Sequence, residues 1–183
     1  MAKVITLSQA FPSYHPMKGK PTYFALKVWL SIMTLPTNPY KNIIEMIEDL
    51  NGDRFDMGQL REFVLESASP TEVLPKHHTI RAGKRWKAGD MASLRVWSGR
   101  PYNSNQIIIA PDIKIARTID FDMDLNGIYS LNGKYNLPVD DWRLAENDGL
   151  TNIEMFHWFM KDYNKPKEFS GQVIIWNDAN LPY

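Results

Sequence analysis

Cysteine is absent from all 183 residues, so disulfide cross-links, thiolate metal sites and cysteine nucleophiles are excluded. Long apolar runs are missing too: no stretch approaches the roughly 18 residues that a membrane-spanning helix needs. The first eleven residues, MAKVITLSQAF, contain one lysine and only a short apolar run, so no secretory leader is expected. With no signal directing the chain elsewhere, a cytoplasmic location and no membrane partner are expected. Net charge is the third absence. Lys and Arg number 21 against 21 Asp and Glu, which argues against a surface coated for nucleic acid as a whole. What is present is a globular profile, 44% hydrophobic, 12% aromatic and 23% charged. The length is that of a single domain able to bury a real core.

The balanced charge hides a local asymmetry. From Lys76 to Arg100 there are seven basic residues and one acid, Asp90, a net +6 in a neutral chain. The densest part reads KHHTIRAGKRWKAGD, residues 76–90. A basic stripe on a neutral body can steer a polyanion to one face, with an affinity that falls steeply as salt rises. Lys84, Arg85 and Lys87 are its expected phosphate contacts, and Trp86, lying between cations in a turn, is its expected base-stacking ring. Trp97, on an alternating strand, is expected to plug the end of the core. Arg81 and Arg100 can bind phosphate or pair with the acids of residues 120–148.

Periodicity places these residues on elements. Residues 4–11 alternate as a first strand. PTYFALKVWLSIM repeats Phe24, Val28 and Ile32 at helical spacing, with Pro21 suited to a first turn. YKNIIEMIEDL predicts a second helix ending at Asn51-Gly52, and MGQLREFVLESAS a third, closed by Pro70. Residues 21–75 are thus expected to be a helical insertion packed outside the sheet. Afterwards the period becomes that of strands. MASLRVW sets Ala92, Leu94 and Val96 on one face, and residues 106–123 alternate through Ile113, Ile115, Ile119, Phe121 and Met123. Residues 125–141, rich in Asn, Gly and Asp, are expected to be a surface loop. Thr151 and Glu154 form a capping box ahead of a helix whose aromatics, in MFHWFMKDY, are expected in the core, and QVIIW predicts a closing strand. The expected class is α+β in one domain spanning residues 1–183, with a mostly antiparallel sheet curled into a small barrel and peripheral helices.

The order of these pieces resembles the ASCH domain family of the PUA-like superfamily. The signature lies in Lys76, Thr79, Arg81, Gly89 and Asp90: a lysine three before a threonine, the threonine two before an arginine, then a Gly-Asp turn. LAENDGLTNIEMFHWF and FSGQVIIW resemble the later helix and closing strand of that family. The chain departs from the pattern in its insertion, and in Leu74-Pro75 standing where compact members have glycine. The resemblance implies a small β-barrel with a cleft for RNA or modified nucleobases. One branch of the family hydrolyses the acetyl amide of N4-acetylcytidine with a lysine, a threonine and a glutamate. Lys76 and Thr79 match the first two. Asp148 aligns with the glutamate, one methylene shorter, and Glu146 is a neighbouring substitute.

The chemistry is sufficient for hydrolysis. A desolvated lysine can serve as base to a threonine hydroxyl, and a carboxylic acid can protonate the leaving amine. Residues three apart on a regular strand point to opposite faces, so Lys76 must stand before the strand or at a bulge. His77 and His78 face opposite ways with no carboxylate at ligand spacing, so neither a metal nor another cofactor is expected. His78 is the one taken to face the cleft and meet a base edge. Three functions follow: binding of RNA or a modified nucleobase or nucleoside in a basic cleft, amide hydrolysis on an N-acylated cytidine, or protein interaction through the insertion.

Overall fold

The computed structural model describes residues 1–68, 70, 73–136, 142–160, 168–178 and 181–183. In chain order the elements are β1 (Lys3–Thr6), α1 (Phe24–Ile32), α2 (Ile43–Asn51), α3 (Met57–Ser67), β2 (His78–Ala82), β3 (Met91–Trp97), β4 (Gln106–Ile108), β5 (Ile113–Lys114), β6 (Arg117–Met123), β7 (Tyr129–Leu131), β8 (Lys134–Asn136), α4 (Arg143–Asn147), α5 (Asn152–Phe159) and β9 (Phe169–Ile175). The class is α+β. None of the described helices is long and apolar enough to cross a membrane.

The strands form two sheets. In the first, β3 pairs with β1 in parallel and, along its other side, with β4 and β5 antiparallel. The second is antiparallel throughout, in the order β2-β9-β6-β7-β8. The chain passes from one sheet to the other between β5 and β6. Ile115 N–H donates to Asp90 and Ala116 N–H to Ile175, each at 2.8 Å, so one residue belongs to each ladder. The alternation read in MASLRVW is realised: Ala92, Leu94 and Val96 are wholly buried. Ile119, Phe121 and Met123 join the same core from the second sheet.

Two elements differ from expectation. Residues 125–141 are not one surface loop, for β7 and β8 form a hairpin there, with Tyr129, Ser130 and Leu131 buried. The turn is Asn132-Gly133, with φ of 50° and 77°, the doubly left-handed geometry that Asn-Gly supplies to tight hairpins. Polar composition masked that signal; residues 137–141 lie outside the described residues. Pro21 does not open α1 but bridges Ala10, and the helix begins at Phe24. The expected Thr151–Glu154 capping box is present in full. Its helix buries Met155 and Phe159, while residues 161–163 lie outside the described residues.

The segment expected to be helical holds α1, α2 and α3, and its packing protects a sheet edge. β4 borders the first sheet, and Asn51, 1% exposed, pairs with it as a strand would. Ile108 N–H donates to Asn51 Oδ1 and Asn51 Nδ2 donates to the Ile108 carbonyl, both at 2.8 Å. Trp29 Nε1 donates to the next-door carbonyl of Ile109 at 2.8 Å. An edge covered in this way is not available to another chain. Asn51→Ala, which strands two backbone groups at the edge, is expected to destabilise the protein by about 2–4 kcal/mol, read from urea denaturation. Asn51→Asp is expected to do no better, since it sets a carboxylate oxygen against the carbonyls of Ile47 and Ile108, both of which Asn51 Nδ2 now serves.

Candidate functional site

Lys76 stands before β2, and two backbone hydrogen bonds fix it there. Lys76 N–H donates to Lys27 of α1 and His77 N–H donates to Asn147 at the end of α4, each at 2.8 Å. The segment is therefore clamped between a helix of the insertion and the acidic turn ahead of α5. Lys76 is 1% exposed and Asp148 4%. The lysine Nζ donates to Asp148 Oδ1 at 2.6 Å and also to the Asp148 carbonyl. It lies 4.4 Å from the centre of the Phe24 ring, a cation–π contact that partly replaces lost water.

The turn at Asp148-Gly149 is shaped for this meeting. Gly149 has φ of 75°, and a Cβ there would come within 3.0 Å of Lys27 Cδ. Only glycine lets the main chain pass this close. Its carbonyl accepts from Lys27 Nζ at 2.6 Å. Asp148 is thus the acid that Lys76 meets; Glu146 makes no ion pair with it.

Burial governs the electrostatics. Desolvation lowers the Lys76 amine to about 8, against the opposing pull of Asp148, with Arg81 and Lys27 lowering it further. Desolvation likewise raises the Asp148 carboxyl, against Lys76, Arg81 and Lys27, which lower it. Lys27 and Arg81 are both lowered, first by their own burial. Three cationic side chains therefore share the field of one buried carboxylate. His78, wholly buried, is held neutral by desolvation and then by the charge of Lys76. Its Nδ1 lies 3.0 Å from the Tyr183 hydroxyl, which accepts from Asn147 Nδ2 at 3.0 Å. With that hydroxyl donating to Nδ1, the ring proton sits on Nε2, 3.9 Å from Asp148 Oδ1. Nothing in the sequence marked Tyr183, Asn147 or Lys27 as part of this centre, because their roles come from chain segments meeting in space.

Thr79 pairs with Ile174 in the ladder between β2 and β9 and is 5% exposed. By strand alternation it shares a face with Arg81, opposite to His78. Its hydroxyl is not hydrogen-bonded to Lys76 or Asp148: the lysine and the acid are joined to each other, and among the described residues no hydrogen bond is made by the threonine hydroxyl. Arg81 Nη2 donates to the Thr6 carbonyl at 2.7 Å, linking β2 to β1 across the gap between sheets. Arg81 Nε is buried and has no hydrogen-bond partner among the described residues, while the His78 ring interacts with the Leu144 backbone.

The basic stripe does not stay together. Lys76 and Arg81 turn inward, and Lys84 is paired with Asp120 at 2.7 Å. Arg85 and Lys87 are exposed at the turn between β2 and β3. Arg95 and Arg100 lie at the other end of β3, roughly 20 Å away by strand rise. The expected stacking role of Trp86 is corrected. Its side chain is 3% exposed, with its backbone held by the Gln172 amide and Lys3 Nζ 5.2 Å from its ring, so no face is offered to a base. Trp97, expected to plug the core, is instead only half-buried. Burial followed the side of the turn facing the second sheet, which the local sequence does not encode.

No family model, curated protein or solved structure matches the chain.

Removing the carboxylate is expected to cost more stability than removing the lysine. Asp148→Asn leaves Lys76 and Arg81 without their carboxylate, at about 3 kcal/mol or more, while Lys27 keeps Glu154; Lys76→Met leaves Asp148 balanced by Arg81 and Lys27. Urea midpoints in the reverse order would refute this charge balance. Because the Lys76 amine is lowered from 10.5 to about 8, the unfolded chain binds the extra proton between those values. The stability of the native protein is therefore expected to rise with pH across that window relative to Lys76→Met, and to run parallel to it below pH 8.

Proposed function

We propose that the Lys76–Asp148 centre binds an N-acylated nucleoside or modified nucleobase and hydrolyses its acyl amide. The observation that carries this reading is a desolvated lysine, lowered to about 8, hydrogen-bonded to the buried Asp148 carboxylate and standing just ahead of β2, the strand that bears Thr79. Near neutral pH such an amine is free in roughly a tenth of molecules at pH 7 and half at pH 8, which suits a general base. In the proposed reaction the Lys76 amine takes the Thr79 proton as Oγ1 bonds to the acyl carbon. The carbon–nitrogen bond then breaks, and the nitrogen leaves with a proton from the Lys76 ammonium. Water, deprotonated by the same amine, releases the carboxylate and restores Thr79. Asp148 holds the amine in place, and its raised affinity for protons lets it serve as an alternative donor. The unpartnered Arg81 Nε, on the same face of β2 as Thr79, is a donor suited to the acyl oxygen or a base edge.

The barrel belongs to the same proposal. The chain crossing at Ile115–Ala116 on one side, and the Arg81–Thr6 hydrogen bond on the other, support two sheets acting as halves of a PUA-like barrel with an ASCH-type cleft between them. Binding without turnover is the second reading. It is favoured by the ligand-free geometry, in which the lysine bonds to Asp148 rather than to the threonine hydroxyl.

Acetate release from N4-acetylcytidine distinguishes the two. Hydrolysis is expected to rise with pH to a plateau above about 8, following the free Lys76 amine. Thr79→Val is expected to abolish it while keeping thermal stability, and Lys76→Met to lower it by about 100- to 10,000-fold. Binding of the same compound with no acetate released would leave the second reading.

A further inference from the structure

The far end of β3 carries chemistry that the Lys76 centre does not use. The half-buried Trp97 ring packs against Tyr102 with centroids 5.3 Å apart and planes tilted by 52°, and Tyr102 is 89% exposed. The tyrosine backbone sits at φ of 64°, in the left-handed region that residues with a Cβ seldom occupy. A large apolar ring is thus presented to solvent on a strained backbone, with only another aromatic for company.

Two grooves meet at Trp97. One, of about 480 Å³, runs along residues 6–10 and is walled by Trp97, Pro101 and Tyr102. The other, of about 560 Å³, is lined by Arg54, Arg95, Trp97, Asn105 and Gln106. Gln106 Nε2 donates to Thr6 Oγ1 at 3.2 Å, so the wall between them is itself polar. Among the described residues no carboxylate lies within ion-pair distance of Arg54, Arg95 or Arg100. Of the acids flanking Arg54 in sequence, Asp56 caps α3 and Asp53 lines a separate groove with Glu45, Glu48 and Asp49.

We infer that this surface binds single-stranded nucleic acid, with bases stacked on Trp97 and Tyr102 and the phosphate backbone following Arg95 and Arg54. An aromatic pair open to solvent can engage a base only where its face is free, which a duplex denies. Guanidinium groups suit phosphate because their donors form a planar fork. Asn105 and Gln106 supply amides for base edges. Arg54 comes from the turn between α2 and α3, so the insertion contributes one wall of the site. The inference is independent of the Lys76 centre, since acetate release and strand binding can each fail alone.

The test is fluorescence anisotropy with a labelled mixed-sequence RNA of about 12 nucleotides, the same sequence as single-stranded DNA, and its DNA duplex, over a range of salt. Single strands are expected to bind more tightly than the duplex, and a preference between RNA and DNA identifies the natural strand. Tyr102→Gly is expected to weaken single-strand binding by about 5- to 100-fold without lowering the thermal midpoint, because glycine accepts the left-handed backbone. Arg54→Gln with Arg95→Gln is expected to reduce the slope of log affinity against log salt by about 1.4. Substituting Lys84, Arg85 and Lys87 by glutamine is expected to change affinity less than either. No binding at low salt, equal binding of duplex and single strand, an unaffected Tyr102→Gly, or a loss confined to the Lys84–Lys87 variant would overturn the inference.

Discussion

The meeting of Lys76 with Asp148 is the constraint around which this protein is arranged. An ammonium and a carboxylate withdrawn from water lose several kcal/mol of hydration each, and only close partners offset that loss. Here the partners come from segments far apart in the chain. Lys27 of α1 supplies its carbonyl to the Lys76 backbone and its amine to the Gly149 carbonyl. Phe24, one turn earlier, lies beneath the Lys76 ammonium, and Asn147 receives the His77 amide. Satisfying one buried pair thereby ties α1 to the start of β2 and to the turn after α4. The attraction does not outweigh burial: both groups remain displaced toward their neutral forms.

The helices between β1 and β2 serve the sheet as well as the site. Asn51 and Trp29 saturate backbone groups of Ile108 and Ile109 along the β4 border. The same insertion delivers Phe24 and Lys27 to the buried centre and Arg54 to the groove beside Trp97. It therefore touches both regions of chemical interest, and substitutions in it will act on more than stability.

Those two regions differ in physical character. The Lys76 centre is closed, with Asp148 and Thr79 only 4% and 5% exposed. The surface at Trp97 is open, and its arginines have no ion-pair partner among the described residues. Arg81 stands between them, electrostatically coupled to Asp148 while donating to Thr6, and Thr6 lines the open groove.

Much of this was legible in the chain. Strand alternation placed Ala92, Leu94 and Val96 in the core because period two leaves one face dry wherever a sheet is covered. The capping box at Thr151 was legible because it is satisfied within four residues. Lys76 does stand before its strand, one of the two positions expected, but its amine meets Asp148 rather than the Thr79 hydroxyl on which that expectation rested. Long-range pairing was not legible. The sequence offered two neighbouring acids, and which of them meets Lys76 depends on how the α4 turn ends at Gly149. Trp86, between two cations in a turn, is buried, and Trp97, on an alternating strand, borders a groove, the reverse of what their local sequences suggest, since burial depends on which sheet lies opposite. The stripe of seven cations is contiguous only along the chain: β3 carries Arg95 toward its far end and Arg100 follows it, away from Arg85 and Lys87 ahead of its start, and folding turns Lys76 and Arg81 inward. Local periodicity and capping are properties of a few adjacent residues, and the sequence determined them. Charge partners, exposed faces and shared grooves are properties of segments brought together from afar, and only the tertiary structure decided them.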